Sequence, residues 1–235
     1  MILFLLVTIL FVHNDLWAQQ LNNNFKKIQI RTMEGLRITY LDERTGSRIT
    51  SPKYDEGQDF YDGVTTVSTA GKAGAIDTLG QEIIPLVYSK VWLLGDRMFA
   101  VSKSGSRFAL ANDRGILLTQ EVYDEFQGFS FGYCGVRKGN KWGYLDRTGK
   151  PIGLIDYDQV EPFYNNIGKV GKKSGQENMQ FEAVLNAGFI NEKGALVFPL
   201  KYNYSKSKVS NKIVLALDSW VTNQNGYGIS TTTYA

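Results

Sequence analysis

The chain has 235 residues, of which 43% are hydrophobic and 21% charged, a composition typical of globular rather than disordered proteins. The formal net charge is +3, and the basic residues are dispersed among acidic ones, which argues against a nucleic-acid partner. One cysteine (Cys134) excludes an internal disulfide, and the one histidine (His13) excludes histidine-based catalysis and the usual zinc or haem sites if the N-terminal segment is removed.

The first predicted element is a signal peptide over residues 1–18. The run from Ile2 to Val12 is apolar and uncharged, yet shorter than the roughly 20 residues that a membrane-spanning helix needs. Ala18 supplies a small residue at a plausible cleavage site. A buried strand or a retained anchor is the alternative, because no Lys or Arg precedes the run. We expect export, with no transmembrane span after cleavage, and a lead-in segment over residues 19–35.

Residues 36–230 contain an internal repeat. A glycine is followed eight residues later by a tyrosine, and the tyrosine thirteen residues later by an aliphatic residue. The glycines are Gly46, Gly80, Gly115, Gly149 and Gly194, and the tyrosines are Tyr54, Tyr88, Tyr123, Tyr157 and Tyr202. Successive glycines lie 34, 35, 34 and 45 residues apart, a period typical of repeat proteins. The extra length falls in 171–186, predicted as a polar insertion loop, and 231–235 form a C-terminal tail.

Each repeat is predicted to be a meander of about three short antiparallel strands. Four of the repeat glycines close turns that begin with Asp or Asn, as in the segment from Asp146 to Gly149. Short apolar strands flank these turns, and no stretch shows helical periodicity. The glycines inside strands, Gly74, Gly143 and Gly188, are predicted to permit close approach of a neighbouring backbone.

The segment 139–150, GNKWGYLDRTGK, resembles the WG (KWG) repeat family, whose motif is a Lys-Trp-Gly strand, an Asp-x-x-Gly turn, a proline and a Tyr-Asp pair. The Tyr-Asp pair recurs at Tyr54-Asp55, Tyr123-Asp124 and Tyr157-Asp158, whereas the tryptophan occurs only as Trp142. The resemblance implies a β-repeat scaffold without known catalytic residues, in a family whose members are mostly bacterial and often exported. The expected location is therefore the periplasm, the cell surface or the extracellular space of a bacterium.

The predicted fold class is all-β, with about five WG-like units of about 34 residues in tandem. An open or superhelical array buries each sheet on its neighbour. A β-propeller-like closure is the alternative, although propeller blades are usually longer, at about 40 to 45 residues.

Candidate binding residues are aromatic side chains outside the repeat register: Trp92, Phe129, Phe131, Tyr164 and Trp220. The repeat tyrosines and Trp142 are expected to pack between units instead. The acids of the Tyr-Asp pairs recur in several units, which predicts a turn role rather than catalysis. We expect no catalytic residue, no cofactor and no metal site, since each Asp-x-x-Gly corner carries too few acids for calcium.

The sequence therefore predicts an exported, non-catalytic repeat scaffold that binds a protein or a surface polysaccharide through loops and edge aromatics. A carboxylate-based glycan hydrolase and a purely structural spacer are the alternatives.

Overall fold

A computed structural model describes residues 24–177 and 183–204 and, further along the chain, five short strand segments. The predicted signal peptide and Trp220 lie outside the described residues. Every regular element in this part of the chain is a β-strand, and all strand pairs are antiparallel. The chain divides into two compact units, 1–121 and 122–235. The predicted all-β tandem-repeat fold is confirmed.

The first unit contains three open sheets, here called sheets 1 to 3. Sheet 1 consists of β1 (Phe25–Thr32), β2 (Gly35–Asp42) and β3 (Ser47–Arg48). Sheet 2 consists of β4 (Glu56–Gly57), β5 (Val64–Thr69), β6 (Lys72–Asp77) and β7 (Glu82–Tyr88). Sheet 3 consists of β8 (Lys90–Gly95), β9 (Met98–Ser102) and β10 (Ala109–Ala111).

The second unit continues the same pattern with sheets 4 and 5. Sheet 4 consists of β11 (Glu125–Ser130), β12 (Tyr133–Lys138), β13 (Lys141–Asp146) and β14 (Pro151–Tyr157). Sheet 5 consists of β15 (Gln159–Val160), β16 (Ile167–Glu177), β17 (Ala183–Asn191) and β18 (Leu196–Asn203). The remaining strands are β19 (Lys208–Ser210), β20 (Ile213–Leu217), β21 (Val221–Asn223), β22 (Gly226–Gly228) and β23 (Thr231–Tyr234).

The core of each unit lies between successive sheets. In the first unit, Tyr40 of sheet 1 shares a buried cluster with Val67 and Ile76 of sheet 2. Sheet 2 also contributes Tyr88 to a second cluster, which contains Val101 of sheet 3. Sheet 2 therefore buries apolar residues against both of its neighbours, and this sheet-on-sheet burial supplies the hydrophobic stabilisation.

The glycine of the WG motif lies opposite an irregularity in the fourth strand of its sheet. The register between β13 and β14 shifts next to Gly143, and a Cβ there would lie 2.7 Å from Cα of Ile155. At Gly74, a Cβ would lie 2.5 Å from the carbonyl oxygen of Ile84 on the bulged β7. The prediction of close backbone approach at these glycines is confirmed, since a side chain would block the bulge.

Three details differ from the sequence-based expectation. Sheets 2, 4 and 5 have four strands rather than about three, because a first strand (β4, β11 or β15) precedes the hairpin formed by the second and third strands. The lead-in 19–35 contributes β1, which pairs with β2 along its whole length. The predicted insertion loop 171–186 is instead an extension of the hairpin formed by β16 and β17, of which 178–182 lie outside the described residues. Its polar composition resembles a loop because an extended hairpin needs no apolar face.

Candidate ligand groove

A groove of about 690 Å³ lies in the first unit, between β4 of sheet 2 and β8 of sheet 3, the first strand of each sheet, here called its leading strand. One wall is β4 with the loop that follows it, and the other wall is Ser89 with β8. Parts of β5 and β6 complete the lining, including Val67 and Ala73. The volume falls within the range of about 300 to 1,000 Å³ that is usual for small-molecule sites.

Two exposed aromatic residues line this groove. The side chain of Trp92 is 44% exposed, and its indole stacks on the buried ring of Phe108 with centroids 4.3 Å apart and an interplanar angle of 26°. The ammonium group of Lys90 lies 5.9 Å from the Trp92 ring centroid. Tyr61, on the opposite wall, is 60% exposed. Phe108 thus supports one face of the Trp92 indole, while much of the side chain remains accessible.

Polar groups surround the aromatic residues. The Glu56 carboxylate accepts a hydrogen bond from Oγ of Ser68 at 3.2 Å. The Asp59 carboxylate lies 3.6 Å from Nζ of Lys27, and this ammonium group also donates to the carbonyl oxygen of Gly57 at 3.1 Å. The groove therefore combines aromatic faces with hydroxyl, carboxylate and ammonium groups. This combination suits a ligand that has both apolar ring faces and many hydroxyl groups.

Trp92 departs from the repeat at a position where the backbone has a repeated role. The residue four positions after each repeat tyrosine is, in chain order, Gln58, Trp92, Gln127, Glu161 and Lys206. The carbonyl oxygens of Gln58 and Glu161 accept hydrogen bonds from the buried hydroxyls of Tyr40 and Tyr144, at 2.8 and 2.6 Å. Sheet 2 has Ala75 at the position of these tyrosines. At this repeat position only Trp92 is aromatic, so its side chain is not one of the recurring residues that build the fold.

The geometry of the groove offers little to acid–base catalysis. Glu56 and Asp59 are both exposed, and the Asp59 side chain is paired with Lys27. A general acid usually acquires its raised pKa from burial in apolar surroundings.

Among residues 24–177 and 183–204, no group of His, Cys, Asp or Glu side chains could hold a metal ion. No helix in the described part of the chain is long and apolar enough to cross a membrane.

Of the other predicted binding aromatics, the structure brings Phe131 and Tyr164 together in the second unit. Their rings meet edge to face, with centroids 5.2 Å apart. Phe129 is half-buried on β11 and takes part in a register shift between β11 and β12. The sequence identified Trp92 as a candidate but not its neighbours Glu56, Asp59 and Lys90, because charged residues near turns are too common to single out.

The acids of the Tyr-Asp pairs hold neighbouring sheets together. Asp158 accepts a hydrogen bond from Nζ of Lys141 at 2.7 Å and from the backbone N–H of Lys173 at 2.8 Å. In the first unit, Asp55 accepts from Nη1 of Arg37 at 2.6 Å and from the backbone N–H of Ala70 at 2.7 Å. Each carboxylate thus joins a basic side chain of one sheet to a hairpin of the next. This geometry supports a structural role for both acids.

A family model described as a WG-containing repeat matches residues 74–103, 122–142, 142–174 and 188–207. The chain is a WG-repeat protein. The matched segments include the close-approach glycines of sheets 2, 4 and 5, together with the Tyr-Asp pairs at Tyr123 and Tyr157. A search of curated proteins finds no match to this WG-repeat protein.

Several solved structures are similar to this WG-repeat protein at low identity. A eukaryotic initiation factor is 11% identical with a TM-score of 0.42, and the match covers 81% of this chain and 57% of that one. PorZ, a surface component of the type-IX secretion system of Porphyromonas gingivalis, is 12% identical with a TM-score of 0.33, at 88% and 30% coverage. The Pan2 WD40 domain of Neurospora crassa is 12% identical with a TM-score of 0.30, at 75% and 63% coverage. The chain thus spans less than two thirds of each of these three proteins.

Proposed function

We propose that this repeat scaffold is an exported, non-catalytic protein whose groove binds a surface polysaccharide. The observation that carries the proposal is the placement of Trp92, a residue outside the repeat pattern that lies partly exposed in the groove. Residues that build a repeat recur from unit to unit, as the repeat glycines and tyrosines do. A large aromatic residue that does not recur, and that remains accessible, is better explained by a ligand.

The size and lining of the groove favour a polysaccharide over a protein partner. A standard protein interface buries about 800 Å² on each partner, with an apolar centre. The groove instead offers two separated aromatic side chains, Trp92 and Tyr61, within a rim of hydroxyl and charged groups. Sugar rings match this arrangement, since their C–H faces stack on aromatic rings and their hydroxyls bond to polar groups.

The proposal of a non-catalytic role rests on the repeat family and on the exposure of the two groove acids. The WG-repeat family is generally non-catalytic. A carboxylate-based hydrolase needs a protonated acid and a second carboxylate on either side of one bond. Glu56 and Asp59 are instead both exposed, and the Asp59 carboxylate lies 3.6 Å from Nζ of Lys27. We therefore expect bound oligosaccharides to be recovered intact.

The direct test is calorimetric titration of the purified protein with tetrasaccharides of glucose, mannose, xylose and N-acetylglucosamine. We expect at least one of these to bind, and Trp92→Ala to weaken binding at the groove at least tenfold, because the sugar ring loses the indole surface on which it stacks. Leu79→Ala is the matched control, since Leu79 is 73% exposed in the same unit but lies outside the groove. Its affinity should equal that of the wild type.

Three results would contradict this function. Unchanged affinity and unchanged stoichiometry of Trp92→Ala would remove the groove as a binding site. Cleavage of a tetrasaccharide, lost in Glu56→Gln or Asp59→Asn, would support the hydrolase instead. Failure to bind any member of the panel would favour a protein partner or a structural spacer.

The proposed export rests on the apolar run from Ile2 to Val12 and the small residue Ala18. The full chain, expressed in a bacterium, should be recovered outside the cytoplasm with Gln19 as its first residue by mass spectrometry. Leu5→Arg should block export, because a charge interrupts the apolar run. An exported protein that keeps residues 1–18 would contradict cleavage, and a wild-type protein confined to the cytoplasm would contradict export.

A further inference from the structure

The first hairpin turn of sheets 2 to 5 has the same backbone conformation in each sheet. Two consecutive residues, eight and nine positions after a repeat tyrosine, form each turn. The pairs are Asp62-Gly63, Asp96-Arg97, Phe131-Gly132 and Asn165-Asn166. All eight residues have a positive φ, between 46° and 84°. Two-residue hairpin turns of type I′ require this left-handed conformation at both central residues, and Gly, Asn and Asp adopt it most readily.

Phe131 is the exception at the first position of these turns. The equivalent residues are Asp62, Asp96 and Asn165, whereas Phe131 is a bulky aromatic residue with φ of 51°. A bulky side chain in this region is uncommon and costs conformational free energy. Burial does little to offset that cost, because the Phe131 side chain is 51% exposed. The stability of the turn therefore does not account for a phenylalanine at this position.

The surroundings of Phe131 hold it beside a second aromatic ring. The Phe131 and Tyr164 rings meet edge to face at an interplanar angle of 63°, with Phe131 exposed and Tyr164 half-buried. Oγ of Ser130 donates a hydrogen bond to the carbonyl oxygen of Phe163 at 2.7 Å, which ties the two turns together immediately before the aromatic pair. The hydrogen bond between the two turns, rather than burial of the Phe131 ring, therefore positions the pair.

We propose that the Phe131–Tyr164 pair is a second saccharide-binding site. The ligand class rests on the proposed function, but the site is distinct from the groove. Asn165 and Asn166 follow Tyr164 directly in the same turn, and Asn166 is exposed, so the turn also carries a neutral amide group of the kind that bonds to sugar hydroxyls. Two rings on two tight turns are too small for a protein interface of about 800 Å², but they match the face of a single sugar ring.

The test is Phe131→Asn, which installs the residue type of the equivalent turns. The full-length protein is titrated calorimetrically with the tetrasaccharides of glucose, mannose, xylose and N-acetylglucosamine. We expect two molecules of the binding tetrasaccharide per wild-type chain, one per chain in either Phe131→Asn or Trp92→Ala, and none in the double variant. The melting temperature of Phe131→Asn should be unchanged or higher by about 2 to 4 °C, because the strained residue is removed.

Asp62→Asn is the matched control, since it alters the equivalent turn of sheet 2 without removing an aromatic ring. It should bind two molecules, as the wild type does. A wild-type stoichiometry of one that is abolished by Trp92→Ala and unaffected by Phe131→Asn would overturn the second site and leave the groove intact. A stoichiometry of one abolished only by Phe131→Asn would support the second site and overturn the groove. A large drop in the melting temperature of Phe131→Asn would overturn the inference by showing that Phe131 serves stability.

Discussion

The repeat glycines allow the contribution of inter-sheet contact to be separated from that of turn conformation. Gly46 and Gly80 occupy equivalent turns of the first unit, with φ of 69° and 76°. No atom lies within 4 Å of the place where a Cβ would stand on Gly46. On Gly80, a Cβ would overlap the carbonyl oxygen of Ile49 and lie 3.0 Å from Cγ2 of Thr50. Substitution by alanine therefore imposes one cost at Gly46 and two at Gly80.

The left-handed conformation costs an alanine about 1 to 2 kcal/mol at either glycine. Overpacking adds about 1 to 3 kcal/mol, and we expect this only at Gly80. Gly80→Ala should thus lower the free energy of unfolding by about 1 to 3 kcal/mol more than Gly46→Ala. Both variants lie in the first unit, so urea denaturation followed by circular dichroism compares the same region of the chain.

The two variants serve as controls for each other, because the change in the unfolded chain is the same. Equal losses of stability in Gly46→Ala and Gly80→Ala would refute the reasoning. That result would mean that only the turn conformation requires glycine, and that the backbone of the neighbouring sheet does not constrain it.

Three further predictions concern buried or bridging groups. Burial raises the pKa of Asp158, but the hydrogen bonds from Lys141 and Lys173 lower it by a larger amount. The resulting pKa is below the usual value for an aspartate. The stabilisation that the ionised Asp158 provides is complete above the unfolded-state pKa of about 3.9 and is lost as the pH falls through the folded-state pKa. Asp158→Ala should therefore lower the free energy of unfolding by about 2 kcal/mol at pH 7 and reduce its pH dependence below pH 4. An unchanged acid transition would contradict this. Tyr144→Phe should lower the free energy of unfolding by about 1 to 3 kcal/mol, because it removes a buried hydroxyl whose one proton is within reach of two backbone carbonyl oxygens, those of Glu161 and Lys169. Stability equal to the wild type in urea would contradict it. Burial raises the pKa of the Cys134 thiol, so a thiol-specific chromogenic reagent should label it only in denaturant, and rapid labelling of the native protein would contradict its burial.

The repeat fold could be predicted from the sequence because its constraints are local. A glycine with positive φ closes each repeat turn, and the tyrosine eight residues later ends or follows the fourth strand, as Tyr88 and Tyr157 do. The leading strands could not be predicted in the same way. β4 contains only Glu56 and Gly57, and it exists through pairing with β5 rather than through its own sequence pattern.

The groove was only partly predictable. Trp92 stood out because it is aromatic and lies outside the repeat register. Its cavity depends on how far the leading strands of two sheets stand apart, a distance that no sequence pattern records. The sheet-joining acid Asp158 was predicted only as a turn former, since its partner Lys141 lies seventeen residues away. The signal for this contact was a basic residue at or near the start of the WG strand in successive units: Arg37, Lys72, Arg107 and Lys141.

The most direct test of the central claim is to follow the indole N–H resonances of the protein by two-dimensional NMR during titration with the tetrasaccharide that binds. The Trp92 resonance can be assigned by its loss in Trp92→Phe, and the chain contains only four tryptophans. If the groove is the saccharide site, the Trp92 resonance shifts with saturable dependence on ligand concentration, while that of Trp142 stays in place. Saturable binding that leaves the Trp92 resonance unmoved would contradict the assignment of the groove as the binding site.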